Sequence, residues 1–263
     1  MGDVDFAHRY GPWAVVTGAA QGVGLAFAEA VLARGVGVVL VDRDPSVLDV
    51  AAGLGADTRG AVADLAEPGW LDPVREATVG LDVGLAVANA AVSFVGRFLD
   101  QPAPSRQATV LVNCLAPTEL AAWALPPMVA RGRGGFIATS SGSALGGTAS
   151  VATYSASKAY VLNLAEAVGW ELRGTGVDCQ AVVAPSMDTP GWRSHHVDAT
   201  KLLQPAVEPR VVVEAALDRL PEGGAFLADA GLELVDGIER RQRVDLLSRT
   251  TASMYPEEYG PVG

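Results

Sequence analysis

Seven short runs rich in Val, Ala and Leu alternate with longer stretches of helical pattern, and this alternation restricts the fold more than any other feature. The runs are Trp13–Thr17, Val36–Val41, Arg59–Ala63, Val83–Ala88, Gly135–Thr139, Val177–Val183 and Ala225–Ala228. Most are apolar at successive positions rather than at every second one, as parallel strands covered on both faces must be. Helical patterns fill Gly22–Arg34, Ser105–Ala130 and Val151–Arg173. A βαβα order of this kind predicts a doubly wound α/β sheet of parallel strands. No linker-like run or internal repeat divides the chain, so residues 1–263 are expected to form a single domain. With 49% hydrophobic residues the chain can bury a large core, which excludes intrinsic disorder.

The first chemical signal is Thr17-Gly18-Ala19-Ala20-Gln21-Gly22-Val23-Gly24, between the first strand and the first helix. Backbone N–H groups and the positive end of a helix dipole bind a dinucleotide pyrophosphate, and close approach requires residues without Cβ atoms. Gly18, Gly22 and Gly24 meet that need in a G-x-x-x-G-x-G spacing. At the end of the second strand Asp42 stands where a carboxylate meets adenosine ribose hydroxyls. Asp64-Leu65, which could flank an adenine ring, follows the third strand, and Asn89-Ala90-Ala91 follows the fourth. Carboxyl ends of strands are where open α/β sheets bind ligands.

The second signal is Ser141 after the fifth strand, with Tyr154 and Lys158 on the next helix. Positions i and i+4 share one helical face, so the phenol and ammonium are expected in one space. An unperturbed tyrosine titrates near ~10, and a nearby cation is expected to lower that value toward working range. Alone, Tyr-x-x-x-Lys describes many half-exposed helix faces.

Together, Thr17–Gly24, Asp42, Asp64, Asn89, Asn113, Ser141 and Tyr154-Ser155-Ala156-Ser157-Lys158 have the order and spacing of the short-chain dehydrogenase/reductase family, which the chain resembles from about Trp13 to Thr189. The resemblance implies a Rossmann-like domain of seven parallel strands and an NAD(P)-dependent interconversion of alcohol and ketone. It implies Tyr154 as general acid/base, Ser141 as the residue that positions the carbonyl, and Lys158 as the ligand of the nicotinamide ribose that lowers the tyrosine pKa. Asn113 would support a proton-relay water, with Pro117 kinking its helix. Cofactor-binding residues would be Gly18, Gln21, Gly22, Val23, Gly24, Asp42, Arg43, Asp64, Leu65, Asn89, Ala90, Tyr154, Lys158, Pro185, Met187 and Thr189. In the family's patterns Ala91 and Ser186 replace glycines, and a charged tail replaces the usual glycine-rich end.

NAD is expected over NADP, because a 2′-phosphate would meet the Asp42 carboxylate and because Gln21 stands where NADP-using relatives often carry a cation; Arg43 is the counter-signal. The substrate is expected to be a small-molecule secondary alcohol or ketone of moderate size and apolar character, beneath a lid over about 186–210 that contains Trp192 and His195. Phe94, Met187, Trp192, Leu202 and Leu203 fit a pocket or a core equally. The tail, about 237–263, reads as a helix from Glu239 to about Met254 with Val244, Leu247 and Met254 on its apolar side. Its Arg240-Arg241-Gln242-Arg243 cluster reads as a solvated face. A catalytically silent nucleotide-binding protein of the same fold is the alternative function, although it would have no need of Ser141, Tyr154 and Lys158 together.

Composition removes other classes. A net charge of −11 repels phosphate backbones, so no nucleic-acid partner is expected. Cys114 and Cys179 read as two free, buried thiols. His195, His196 and Asp198 lack the spacing of a metal site, and no metal is expected. The N-terminus has no apolar signal segment and no unbroken run suits a membrane span, so a cytoplasmic location without a membrane partner is expected. Helices apolar on more than one side, with Ala121, Ala122, Trp123, Ala156, Ala159, Ala167 and Trp170, predict a homodimer or homotetramer.

Overall fold

A computed structural model describes residues 3–195, 198–202, 205–228 and 237–255. Seven parallel strands form one sheet: β1 (Trp13–Thr17), β2 (Gly37–Asp42), β3 (Thr58–Val62), β4 (Val83–Ala88), β5 (Gly134–Ser141), β6 (Val177–Ala184) and β7 (Gly224–Leu227). Their order is β3-β2-β1-β4-β5-β6-β7. Every predicted strand is present, displaced by no more than two residues at either end. The fifth is longer than expected and ends on Ser141 itself.

Among the described residues the α-helices are α1 (Asp3–Tyr10), α2 (Gly22–Ala33), α3 (Val47–Leu54), α4 (Leu71–Ala77), α5 (Ala103–Val110), α6 (Ala116–Arg131), α7 (Ala152–Glu171), α8 (Pro190–Arg193), α9 (Pro209–Arg219) and α10 (Arg240–Met254). They sandwich the sheet between two apolar layers. Val16, Val38, Leu40 and Val87 face Phe27, Val31 and Leu217 on one side. Val15, Val39, Ala86 and Phe136 face Leu120, Met128, Val161 and Ala165 on the other. Fully burying each such side chain is worth ~1.5–3 kcal/mol, which explains why successive strand positions are apolar.

The expected single helix over Ser105–Ala130 is instead α5, a π turn at Leu111–Leu115 and α6. Pro117 lacks the N–H that would bond the Asn113 carbonyl in an α-helix, and the wider turn falls there. By length and composition Ala103–Arg131 is the one described helical run that could cross a membrane. Its Ala116, Leu120, Ala124 and Met128 are buried beneath the sheet, as in the core helix of a folded domain.

Strand order reverses between β1 and β4, so the helices that follow them lie on opposite faces. A crevice therefore opens at the carboxyl ends of these strands.

Candidate active site

That crevice is a cleft of about 780 Å³. At one end lies the glycine loop. Gly18 has φ +69°, and a Cβ there would stand 2.9 Å from the Ala90 Cα. A Cβ on Gly24 would stand 2.0 Å from the Gly18 carbonyl oxygen, so the turn closes only without side chains. The loop feeds the N-terminus of α2, where no capping side chain and no first-turn carboxylate occupies the free N–H groups.

Thr17 and Asn89 hold this loop. The Thr17 hydroxyl accepts from the N–H groups of Asn89 (3.0 Å) and Ala90 (3.1 Å), while Asn89 Nδ2 donates to the Thr17 carbonyl at 3.0 Å. Thr17 thus ties β1 to the end of β4, a role signalled only by its place at the head of the glycine motif. Asp42 accepts from Ala20 N–H at 3.0 Å and from Asp44 N–H at 3.1 Å, so it shapes the loop as well as lining the cleft.

The cleft lining brings together Gly18, Gln21, Gly22, Val23, Asp42, Arg43, Asp64, Leu65, Asn89 and Ala90 with Ser141, Tyr154, Lys158, Pro185, Met187 and Thr189. Gly24 and Asn113 lie behind it. Asn113 is buried, with Oδ1 accepting from Val92 N–H at 2.8 Å and Nδ2 donating to the Val92 carbonyl and the Ser157 hydroxyl, both at 2.9 Å. Ser157 in turn donates to the Tyr154 carbonyl at 2.7 Å. The side chain of Asn113 therefore pins the tyrosine-bearing turn.

Lys158 is buried, and its ammonium donates to the Thr139 carbonyl at 2.7 Å. It lies 5.7 Å from the centroid of the Tyr154 ring. Burial lowers its pKa to about 8. The expectation that the cation depresses the tyrosine is corrected here. Burial pushes the Tyr154 phenol above its usual value, and the neighbouring Ser141 hydroxyl opposes this only in part. The oxygen of Ser141 accepts from Ser143 N–H (3.3 Å) and the Ser143 hydroxyl (3.2 Å), leaving its own hydrogen to donate elsewhere. Ser143 had no sequence signal beyond its proximity to Ser141.

Phe94, Met187, Trp192 and His195 line the other end, joined by Thr251, Met254 and Tyr255 of the tail. Leu202 is not part of the lining, while Leu203 and His196 fall outside the described residues. The lid carries α8 and a 3₁₀ turn at Ala199–Lys201. Arg243 is not on a solvated face: it donates to the Leu145 carbonyl at 3.1 Å. Cys179 is buried, but Cys114 is half-exposed rather than buried.

The cleft fits a dinucleotide. Its cradle excludes Cβ atoms, the α2 terminus offers N–H groups, and the buried Thr139 hydroxyl, which lines the cleft, has no partner among the described residues.

Comparison with known proteins agrees. The family profile described as short chain dehydrogenase matches residues 12–199. The 7β-hydroxysteroid dehydrogenase of Collinsella aerofaciens is 31% identical over 225 residues, covering 82% of this chain and 86% of that protein. The human inactive hydroxysteroid dehydrogenase-like protein 1 is 33% identical over 198 residues, 71% of this chain but only 60% of the relative's length. A solved 7β-hydroxysteroid dehydrogenase superposes with TM-score 0.84 at 26% identity, covering 92% of this chain and 98% of its own. A short-chain dehydrogenase from Sphingobium yanoikuyae in complex with NADPH gives TM-score 0.76 at 30% identity, covering 88% and 94%. The chain belongs to the short-chain dehydrogenase/reductase family.

Proposed function

We propose that this oxidoreductase interconverts a secondary alcohol and a ketone on a bulky apolar skeleton, with a hydroxysteroid as the best-fitting class. The observation that carries the reading is the convergence of Ser141, Tyr154 and Lys158 on one wall of a cleft that also holds the glycine cradle. When bound, the nicotinamide cofactor supplies or accepts the hydride. Tyr154 gives its phenolic proton to the ketone oxygen in reduction and takes it back in oxidation. Its raised pKa keeps the phenol protonated in the free protein, which suits the donor role. Ser141, with its oxygen occupied by Ser143, donates to the same substrate oxygen. Lys158 and Asn113 hold the tyrosine's helix and the ribose side of the cleft. Phe94, Met187, Trp192 and Met254 supply the apolar walls, and the two 7β-hydroxysteroid dehydrogenase matches support a polycyclic substrate.

NAD is the preferred cofactor in this reading. A 2′-phosphate a few ångströms from Asp42 would cost several kcal/mol at an effective dielectric of ~20. Exposed Arg43 and the NADPH-bound relative make NADP the competitor to measure. The reading includes a cytoplasmic homodimer or homotetramer: Leu115, Tyr160 and Trp170 expose apolar surface, and Thr118 and Tyr160 join their hydroxyls at 2.9 Å between α6 and α7. Light scattering should give at least twice 27.0 kDa at micromolar concentration, and a monomer mass would refute this part.

The decisive assay follows reduced nicotinamide absorbance with a 7-oxosteroid and a panel of simple ketones. Steroid-dependent oxidation of the cofactor is expected. Tight cofactor binding without turnover of any member would overturn the reading and favour the catalytically silent alternative, for which the human relative named inactive is the precedent.

A further inference from the structure

The tail helix lies beyond the matched family region, yet it reaches the cleft. Its attachment is specific. Leu246 and Leu247 pack on Leu145 and Val183. Ser248 Oγ accepts from Ala149 N–H at 3.1 Å and donates to the Gly147 carbonyl at 3.3 Å. These contacts fix α10 against the segment that leads from Ser141 to Tyr154. At the far end the carbonyl of Met254 accepts from Asp198 N–H at 2.8 Å, so lid and tail meet one residue before Tyr255. Met254 is buried, and the chain turns to extended geometry at Tyr255, with φ −106° and ψ 158°.

Thr251 and Met254 fall on one side of α10 by their spacing, and both line the cleft together with Tyr255 just past the helix end. The Tyr255 ring is half-buried. Burial, reinforced by the Tyr154 phenol, pushes its pKa up to about 12. Tyr255 therefore remains uncharged through the physiological range, and the two tyrosines share one electrostatic neighbourhood within the cleft. A neutral aromatic side chain at that place presents a large rigid surface with two side-chain torsions to fix, which suits contact with a rigid apolar skeleton.

We propose that Tyr255 is a specificity-determining residue, whose ring joins Met254 in the tail's part of the substrate wall and holds the skeleton of a bulky ketone or alcohol. This rests on the oxidoreductase reading above and adds the residue that selects substrate size. Tyr255 takes no part in the proton transfer, which belongs to Tyr154, and is not one of the residues of the glycine cradle.

The test uses the full chain with a 7-oxosteroid and, as a compact control, cyclohexanone. Tyr255→Ala should raise KM for the steroid at least tenfold with kcat within about threefold, since the contact is made equally in ground and transition states. Its kcat/KM for cyclohexanone should change less than threefold, and its affinity for reduced nicotinamide dinucleotide should match the wild type. Tyr255→Phe keeps the ring and should restore the steroid KM to within threefold of wild type. An unchanged KM in Tyr255→Ala, an equal loss for both ketones, or no rescue by phenylalanine would overturn the proposal while leaving the oxidoreductase reading intact. A wild-type protein that binds cofactor and turns over cyclohexanone but not the steroid would overturn this proposal and the substrate class. No turnover of either ketone would overturn the reading itself.

Discussion

The two ends of the cleft are made by different means. At the nucleotide end the geometry is set by the backbone: glycines at Gly18, Gly22 and Gly24, the bare N-terminus of α2, and the ends of β1, β2 and β4. At the substrate end the walls come from α8, the lid and α10, held by single contacts between residues far apart in sequence, such as Arg243 with Leu145 and Met254 with Asp198. At the first end a Cβ would collide at Gly18 and Gly24, and Gly22 holds a φ of +61° that side chains rarely adopt. At the second, a Cβ on Gly191 would meet nothing within 4 Å. A rigid site for a constant ligand is thus joined to a permissive one, where substrate selectivity can change without disturbing the cofactor.

The largest effect lies where the two ends meet. Tyr154→Phe preserves the ring and removes the proton, and turnover should fall about 10²–10⁴-fold. Cofactor affinity and thermal midpoint should remain at wild-type values, because neither depends on the phenolic hydrogen. A variant that keeps more than a tenth of the wild-type kcat would show that proton transfer is carried by another group.

The contrast itself is tested by one methyl group placed at each end. Gly24→Ala sets a Cβ 2.0 Å from the Gly18 carbonyl oxygen and 2.7 Å from Asn89 Nδ2, both fixed parts of the cradle. Forced overpacking of this kind costs about 1–3 kcal/mol, and the loop must open, so nucleotide affinity should drop roughly tenfold or more. Gly191→Ala should leave both stability and nucleotide affinity within experimental error. Equal effects at the two positions, read by calorimetry and nucleotide titration, would end the distinction between a rigid and a permissive end.

This difference also decides what was legible in the sequence. The sheet was readable because each buried strand is apolar at successive positions, and the cradle because only glycine satisfies its contacts. Ser141, Tyr154 and Lys158 were readable because their positions relative to a strand end and a helix face are local facts. The π turn at Leu111–Leu115 was only half readable: Pro117 announced a disturbance, but widening or bending depends on how Asn113 reaches Val92 and Ser157. The direction of the Tyr154 shift is not legible in the sequence, since desolvation depends on everything packed around a side chain and leaves no mark at i and i+4. The tail's apolar positions Val244, Leu247 and Met254 were visible, but its target was not. Nothing in residues 240–255 specifies Leu145, Gly147 or the lid.

A smaller, tenfold-scale effect is expected from cofactor choice. Asp42→Ala removes the charge that a 2′-phosphate would meet and should move the ratio of kcat/KM for NAD over NADP toward NADP by about tenfold. It also removes the acceptor for Ala20 and Asp44 N–H groups, so affinity for both cofactors should weaken together by a lesser factor. The ratio isolates the charge from the loop. A wild-type preference for NADP, or an unchanged ratio in Asp42→Ala, would remove Asp42 as the discriminating residue and turn attention to Arg43.

The last effect leaves turnover aside and is read as a few degrees of thermal midpoint: it concerns Lys158, the buried cation of the cleft. Its pKa is about 8 in the folded chain and ~10.4 in an unfolded one. Below pH 8 the lysine is charged in both states, and the native protein bears the full cost of burying the charge. Between pH 8 and 10.4 the unfolded chain holds the extra proton, so raising pH favours the native state. The gain should reach roughly 1–3 kcal/mol, at 1.36 kcal/mol per pKa unit. Other groups titrate in this range, so the useful quantity is the thermal midpoint of wild type minus that of Lys158→Met. From pH 7.5 to 9.5 this difference should move in favour of the wild type by a few degrees. A flat difference would mean that Lys158 keeps an ordinary pKa, and that the Thr139 carbonyl at 2.7 Å compensates its burial in full.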